Sequence, residues 1–245
     1  MDINNKFKTG FESIDRKVVF SPTDLICVAG RPAMGCTTFA LNMMQKNNNS
    51  KGCLISLVDT SQQMQKKMKM IIAGQTTDDR GLSKTKEIDL KFLELPSTLE
   101  LIEFIVTFSS DYDYFIIDEL SYINQKTNPI FSQNKDYQEL VRHLKSICLL
   151  MKKNIILLSS ISSEIEDESK LSFSHYGIRE KYFDHIITIA RPEYYGIEND
   201  ESGRDYEKGE TIVCIAKTQL DNVGFETSLI FDSKNLAFEM PVFAP

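Results

Sequence analysis

The sequence predicts an α/β fold: a mainly parallel twisted sheet with helices on both faces and a C-terminal antiparallel extension. Three observations predict it. Short apolar runs rich in β-branched residues recur between amphipathic stretches, the alternation expected of parallel strands joined by crossover helices. The first run feeds a turn bracketed by Gly30 and Gly35 that opens a helix. Beyond about residue 205 only strand-like runs remain.

Taken in order, the strand at 25–29 is apolar throughout, as a strand buried on both faces must be. An amphipathic helix follows at 37–45, then an Asn-rich loop at 46–52 and a strand at 53–58. The stretch 61–73 spaces Met64 and Met68 one helical turn apart, which predicts one packed face and one basic, solvated face carrying Lys66, Lys67 and Lys69. A helix at 99–108, a strand at 114–117 ending on Asp118, a helix at 136–151 and a strand at 155–159 continue the alternation. A short helix at 178–182 and a strand at 185–189 complete the parallel part, and 211–217 and 227–231 form a final strand pair. The acidic, Ser-rich stretch 162–174 and the charged stretch 196–209, with three glycines, read as loops too short to separate domains.

With 245 residues the chain is expected to form a single domain spanning 1–245 and to bury roughly 70–75% of its unfolded surface. Its 42% apolar and 26% charged residues are those of an ordinary packed protein, which excludes wholesale disorder. A net charge of −7 argues against a broad basic face for nucleic acid or anionic membrane, without forbidding a local patch. No apolar run reaches bilayer length and residues 1–6 lack a signal-peptide core, so a cytoplasmic protein without membrane partners is expected. The five cysteines are odd in number and mostly inside apolar runs, which fits reduced core thiols. The three histidines, His143, His175 and His185, share no helix face and receive no role.

After the strand ending at Ala29 comes Gly30-Arg31-Pro32-Ala33-Met34-Gly35-Cys36-Thr37-Thr38, the G-x-x-x-x-G spacing of a phosphate-binding loop between strand and helix. In such a loop backbone N–H groups and the helix N-terminus face phosphates, a lysine after the second glycine reaches the outer phosphates, and the adjacent hydroxyl binds Mg²⁺. Here the lysine position is Cys36. A tight strand-to-helix turn needs glycine with or without phosphate, so the spacing alone leaves both readings open.

Further stretches stand in a fixed order. They are Thr9-Gly10-Phe11-Glu12-Ser13-Ile14-Asp15, Leu54-Ile55-Ser56-Leu57 before Ser61-Gln62-Gln63-Met64, Phe115-Ile116-Ile117-Asp118, Ile156-Leu157-Leu158-Ser159, Arg191-Pro192-Glu193-Tyr194-Tyr195 and Ile215-Ala216-Lys217. Together with the glycine loop they resemble the C-terminal motor domain of DnaB-family replicative helicases, a RecA-like P-loop ATPase fold, over nearly the whole chain and most weakly at 65–110. The family's N-terminal domain is expected to be absent.

The resemblance implies ATP and Mg²⁺ as ligands, bound by residues 30–38. It matches Thr37 and Asp118 to the hydroxyl and carboxylate of the metal site; the alternative is that Asp118 only ends a buried strand and Thr37 only caps its helix. Four family features are altered. The phosphate lysine is Cys36; the catalytic glutamate position is Val58, with Asp59 next; the sensor glutamine is Ser160; and the Lys-x-Arg finger is Lys217-Thr218-Gln219. Asp59, one residue on, is expected on the opposite side of its strand. Glu119, next to Asp118, is a second candidate base, or else a solvent-facing strand-end glutamate. Lys217 is a residual finger or an exposed lysine. Cys36 at a helix N-terminus is either a thiol with lowered pKa or a small buried side chain.

The expectation is a motor domain impaired or inactive in ATP hydrolysis and unwinding, acting as a nucleotide- or partner-binding module with replication proteins, as a monomer or weak oligomer. Two alternatives stand: a slow ATPase using Glu119 and a displaced lysine, and a nucleotide-independent DNA-binding accessory. Single-stranded DNA would meet loops 124–135 and 162–174. The second carries Glu164, Glu166, Asp167 and Glu168 against Lys170 and repels phosphates.

Overall fold

The computed structural model describes residues 7–47, 50–57, 59–74, 89–92, 97–119, 135–160, 180–200, 202–219 and 224–241. Its strands are β1 (Leu25–Gly30), β2 (Gly52–Ser56), β3 (Asp89–Phe92), β4 (Tyr114–Asp118), β5 (Asn154–Ser160), β6 (His185–Ala190), β7 (Glu210–Lys217), β8 (Phe225–Asp232) and β9 (Ala237–Glu239). Its helices are α1 (Glu12–Asp15), α2 (Cys36–Lys46), α3 (Ser61–Gly74), α4 (Thr98–Thr107) and α5 (Lys135–Met151). One sheet runs in the order β3-β2-β4-β5-β1-β6-β7-β8-β9. It is parallel from β3 to β6 and antiparallel from β6 onward.

Alternation along the strands divides the core between the two faces of the sheet. Ile26 and Val28 of β1 join the buried cluster that holds Phe39, Leu41 and Met43 of α2 and Met64, Met68 and Ile71 of α3. Leu25, Cys27 and Ala29 point the other way, into the cluster of Leu101 and Ile105 of α4 and Leu144, Ile147 and Cys148 of α5. Every residue of β1, β2 and β4 is buried, which is why these strands read as unbroken apolar runs.

The structure corrects several boundaries. β2 ends at Ser56, two residues short of the predicted strand, so Asp59 lies beyond the pleat and strand alternation does not set its direction. The predicted short helix at 178–182 is a single 3₁₀ turn, Glu180–Tyr182. β3, β9 and α1 were not predicted. α1 is one turn, nucleated by Asp15, whose carboxylate accepts from Thr9 N (2.8 Å), Thr9 Oγ1 (2.8 Å) and Gly10 N (2.9 Å). That explains the Thr9-Gly10…Asp15 spacing as a local clasp, and it seats Phe11 in a stack on Phe39 of α2 with centroids 5.0 Å apart.

At the sheet end where β1 starts, a polar network joins elements distant in sequence. Fully buried His185 Nε2 lies 2.8 Å from Asp24 Oδ2, and Lys145 pairs with Asp184 at 2.5 Å. Gln219 Nε2 donates to Asp24 (3.2 Å) and Asp184 (3.1 Å). His185 thus has a structural place that the sequence did not reveal. Among the described residues all five cysteines are unpaired thiols, and no helix is long and apolar enough to cross a membrane.

Candidate functional site

The site is built at the C-terminal end of β1. Gly30 closes the strand, residues 31–34 turn back on themselves through Met34 N donating to Arg31 O (3.2 Å), and α2 begins at Cys36. Two glycines are fixed by geometry. Gly35 sits at φ +93°, a left-handed conformation that costs an L side chain roughly 1–2 kcal/mol. A Cβ on Gly30 would stand 2.8 Å from Cys36 Sγ and 3.0 Å from Ile189 O, closer than packed atoms allow. The N-cap residue, Gly35, has no side chain to bond the first turn of α2, an arrangement that suits an anion.

The loop's side chains divide by direction. Met34 is buried in the core and its Sδ receives Arg191 N at 3.2 Å, so it can address a ligand only through its backbone; Thr38 is likewise buried. Pro32 and Ala33 are exposed, Ala33 with φ +69°. Arg31 lies over the Tyr195 ring at 5.1 Å. Beside them a groove of about 1230 Å³ opens between the loop, Arg191, Tyr195 and the β6–β8 face.

Thr37 and Asp118, 81 positions apart in sequence, meet directly: Thr37 Oγ1 donates to Asp118 Oδ2 at 2.9 Å. The contact joins the start of α2, which follows β1, to the end of β4, two strands away in the sheet. Asp118 is 5% exposed. Burial pushes its carboxyl up to about 6, the Thr37 hydrogen bond opposes that rise, Asp59 and Glu119 add to it, and Lys67 opposes it. One carboxylate with one hydroxyl at a phosphate loop is a set that Mg²⁺ accepts, since that ion keeps several waters and takes its remaining ligands from phosphate. Among the described residues no cluster of three His, Cys, Asp or Glu side chains could hold a metal alone.

Cys36 packs against the core cluster with its thiol beside Gly30. Burial, together with the carboxylates of Asp118 and Glu119, raises the thiol pKa to about 12 and outweighs the backbone hydrogen bond at the helix N-terminus that acts to lower it. The thiol therefore stays protonated and supplies no charge to the loop.

The other candidate groups are placed as follows. Glu119 does not simply face solvent: its carboxylate accepts from Ser160 N (3.1 Å) and Ser160 Oγ (2.8 Å), tying the end of β4 to the end of β5. Asp59 forms a close ion pair with Lys67 of α3, and its backbone N–H donates to Ser56 Oγ at 3.2 Å. Lys217 is not brought to the loop. β7 runs antiparallel to β6, with Ile212 opposite Ala190 and Lys217 opposite Ile186. Lys217 therefore lies about 17 Å farther along the strand than Ile212, at about 3.4 Å per residue. Its Nζ donates to Phe183 O at 2.6 Å. Val58 and loop 162–174 lie outside the described residues, as does loop 124–135 apart from Lys135, the first residue of α5.

These features define a RecA-like α/β domain with a G-x-x-x-x-G loop between its first strand and second helix. The particular family it resembles is the DnaB-like helicase C-terminal domain, whose model matches residues 7–100. The chain is 25% identical to the replicative DNA helicase DnaB of Haemophilus influenzae, over 88% of this chain and 51% of that protein. It is 24% identical to a probable plasmid replicative DNA helicase of Chlamydia psittaci, over 95% of this chain and 55% of that one. It thus spans about half the length of these relatives. In fold it superposes on a DnaB-like replicative helicase, solved together with an account of its interactions with primase, with a TM-score of 0.76 at 19% identity, covering 96% of this chain and 62% of that one.

Proposed function

We propose that this chain is the nucleotide-binding module of a DnaB-like helicase system, taking ATP with Mg²⁺ at its P-loop and hydrolysing it poorly. The observation that carries the binding half is the 2.9 Å contact between Thr37 and Asp118, which keeps hydroxyl and carboxylate together at the open N-terminus of α2. The N–H groups of residues 35–38 would hold the phosphates and Asp118 with Thr37 would hold Mg²⁺, which supplies charge neutralisation at the phosphates when bound. The groove beside Arg31 and Tyr195 is large enough for the nucleoside.

The hydrolytic half rests on what the residues lack. Cys36 is a neutral thiol where an ammonium would offset developing phosphate charge, and Val58 cannot accept a proton from water. Removing one preorganised charge-stabilising donor from such a site slows chemistry by about 10²–10³-fold. The attachment of Glu119 to Ser160 supports a second reading, a slow ATPase, because it fixes a carboxylate at the strand ends next to Asp118, where a base for an attacking water would be needed.

Calorimetric titration with Mg²⁺ and ADP, alongside turnover of ATP, tests both. Wild type is expected to bind nucleotide, Asp118→Ala to lose the Mg²⁺-dependent part, and Cys36→Lys to gain turnover. Wild-type hydrolysis that falls on Asp118→Ala and Glu119→Gln would establish the slow ATPase; absence of binding would overturn the reading. Partners in replication and contact with single-stranded DNA belong to the same proposal, and retention on single-stranded DNA at low salt checks the latter.

A further inference from the structure

Cys36 leaves the P-loop without its cation, yet the structure places another close by. Lys67, two turns into α3, forms an ion pair with Asp59 in which its side chain is 31% exposed and that of Asp59 19%. Asp59 follows β2, whose last residue, Ser56, is in register with Asp118, and Leu57 N donates to Asp118 O at 2.5 Å. The pair therefore sits at the same strand ends as the Thr37–Asp118 contact. Asp59, Glu119 and Lys67 act on the Asp118 carboxylate, Lys67 as a cation.

Other basic groups point elsewhere. Arg31 lies over Tyr195, Arg191 lies over Phe231 and pairs with Glu193, and Lys217 is at the far end of the sheet. A partly exposed ion pair contributes only about 0–1 kcal/mol to stability, so stability gives little account of a lysine held here beside Asp59. An ammonium has three donors and a carboxylate such as Asp59 occupies one of them, so the same group can hold Asp59 and a phosphate oxygen together.

We propose that Lys67 takes the outer-phosphate contact that Cys36 cannot make, so that the site distinguishes a nucleoside triphosphate from a diphosphate. The inference rests on nucleotide binding at the P-loop, as proposed above. It assigns to α3 a positioning group for the γ-phosphate and to Asp59 the role of holding that group in place before the nucleotide arrives.

The test compares affinities for ADP and for β,γ-imido ATP, each with Mg²⁺, by calorimetry on the full chain. A charge-assisted hydrogen bond to the γ-phosphate predicts that Lys67→Met weakens the triphosphate analogue by about tenfold or more and leaves ADP within about twofold. Lys67→Arg should keep most of the discrimination. Asp59→Asn loosens the hold on the ammonium and should weaken the triphosphate analogue severalfold, less than Lys67→Met does, while leaving ADP within about twofold. Asp59→Asn/Lys67→Met, which removes the pair without stranding a charge, should show the Lys67→Met pattern and separates recognition from folding. Equal weakening of both nucleotides, or no change in either, overturns the role of Lys67 while leaving P-loop binding intact. Binding of neither nucleotide by wild type overturns the P-loop reading and this inference with it.

Discussion

Asp118→Asn isolates the electrostatic cost of the candidate metal site. The carboxylate is 5% exposed, and its pKa rises from an ordinary 3.8 to about 6, burial being the largest cause. At 1.36 kcal/mol per pKa unit, that rise corresponds to about 3 kcal/mol of native-state destabilisation when the group is ionised. The sign follows from proton uptake. Between pH 3.8 and about 6 the folded chain binds more of this proton than the unfolded chain, so the contribution to stability falls as pH rises and levels off above 6. Asn keeps an acceptor for Thr37 Oγ1 and removes the charge that Asp59 and Glu119 repel.

The variant is therefore expected to be more stable than wild type by about 3 kcal/mol at pH 8, with the difference shrinking toward zero as pH falls through the window to 4. Urea unfolding followed by circular dichroism at both pH values, with m-values compared, measures it. Saturating Mg²⁺ and ADP should then stabilise wild type more than the variant, because the charge that weakens the empty fold is the one a cation needs. A variant no more stable than wild type at pH 8, or a difference independent of pH, would refute the account of Asp118.

Three further outcomes are expected. Cys36, with its thiol raised from 9.0 to about 12, should react with iodoacetamide at pH 8 about 10³-fold more slowly than in the unfolded chain, read by mass spectrometry of its peptide. Gly35→Ala forces a side chain onto φ +93° and should cost roughly 1–2 kcal/mol, a fall in melting temperature of about 2–8 °C for a domain of this size, and should weaken ADP binding. Leu144→Ala, at a fully buried position of α5 on the opposite face of the sheet, should cost about 2–5 kcal/mol in urea unfolding yet leave nucleotide affinity unchanged.

The parallel strands were legible because they are buried on both faces, and continuous apolar runs such as Ile155-Ile156-Leu157-Leu158 have few other uses in a chain of this composition. β3 was not, because Asp89-Leu90-Lys91-Phe92 pairs, among the described residues, with β2 alone at the sheet edge and alternates charge with apolar residues over four positions. The P-loop and the Thr37–Asp118 pair were legible as a motif, since strand, turn and helix impose their own spacing. The Asp59–Lys67 pair was hidden by a boundary: reading β2 as running to 58 turned Asp59 away, and the Met-spaced helix put Lys67 with its solvated neighbours Lys66 and Lys69. Glu119 and Ser160 could not be linked from sequence either, because the contact depends on β4 and β5 ending side by side.

Those same strand ends constrain how the remaining basic group can act. The P-loop, Asp118, Glu119 and Lys67 gather where β1, β2 and β4 finish, whereas Lys217 and Gln219 lie where β1 begins, tied to Phe183, Asp24 and Asp184. A separation of about 17 Å along a rigid strand exceeds what a lysine side chain spans, so Lys217 cannot serve the phosphate site of its own chain. Any P-loop nucleotide it contacts belongs to a second copy. Loss of turnover on Lys217→Ala would therefore have to be accompanied by self-association, and light scattering with and without Mg²⁺ and ADP decides whether the residual finger has anything to touch.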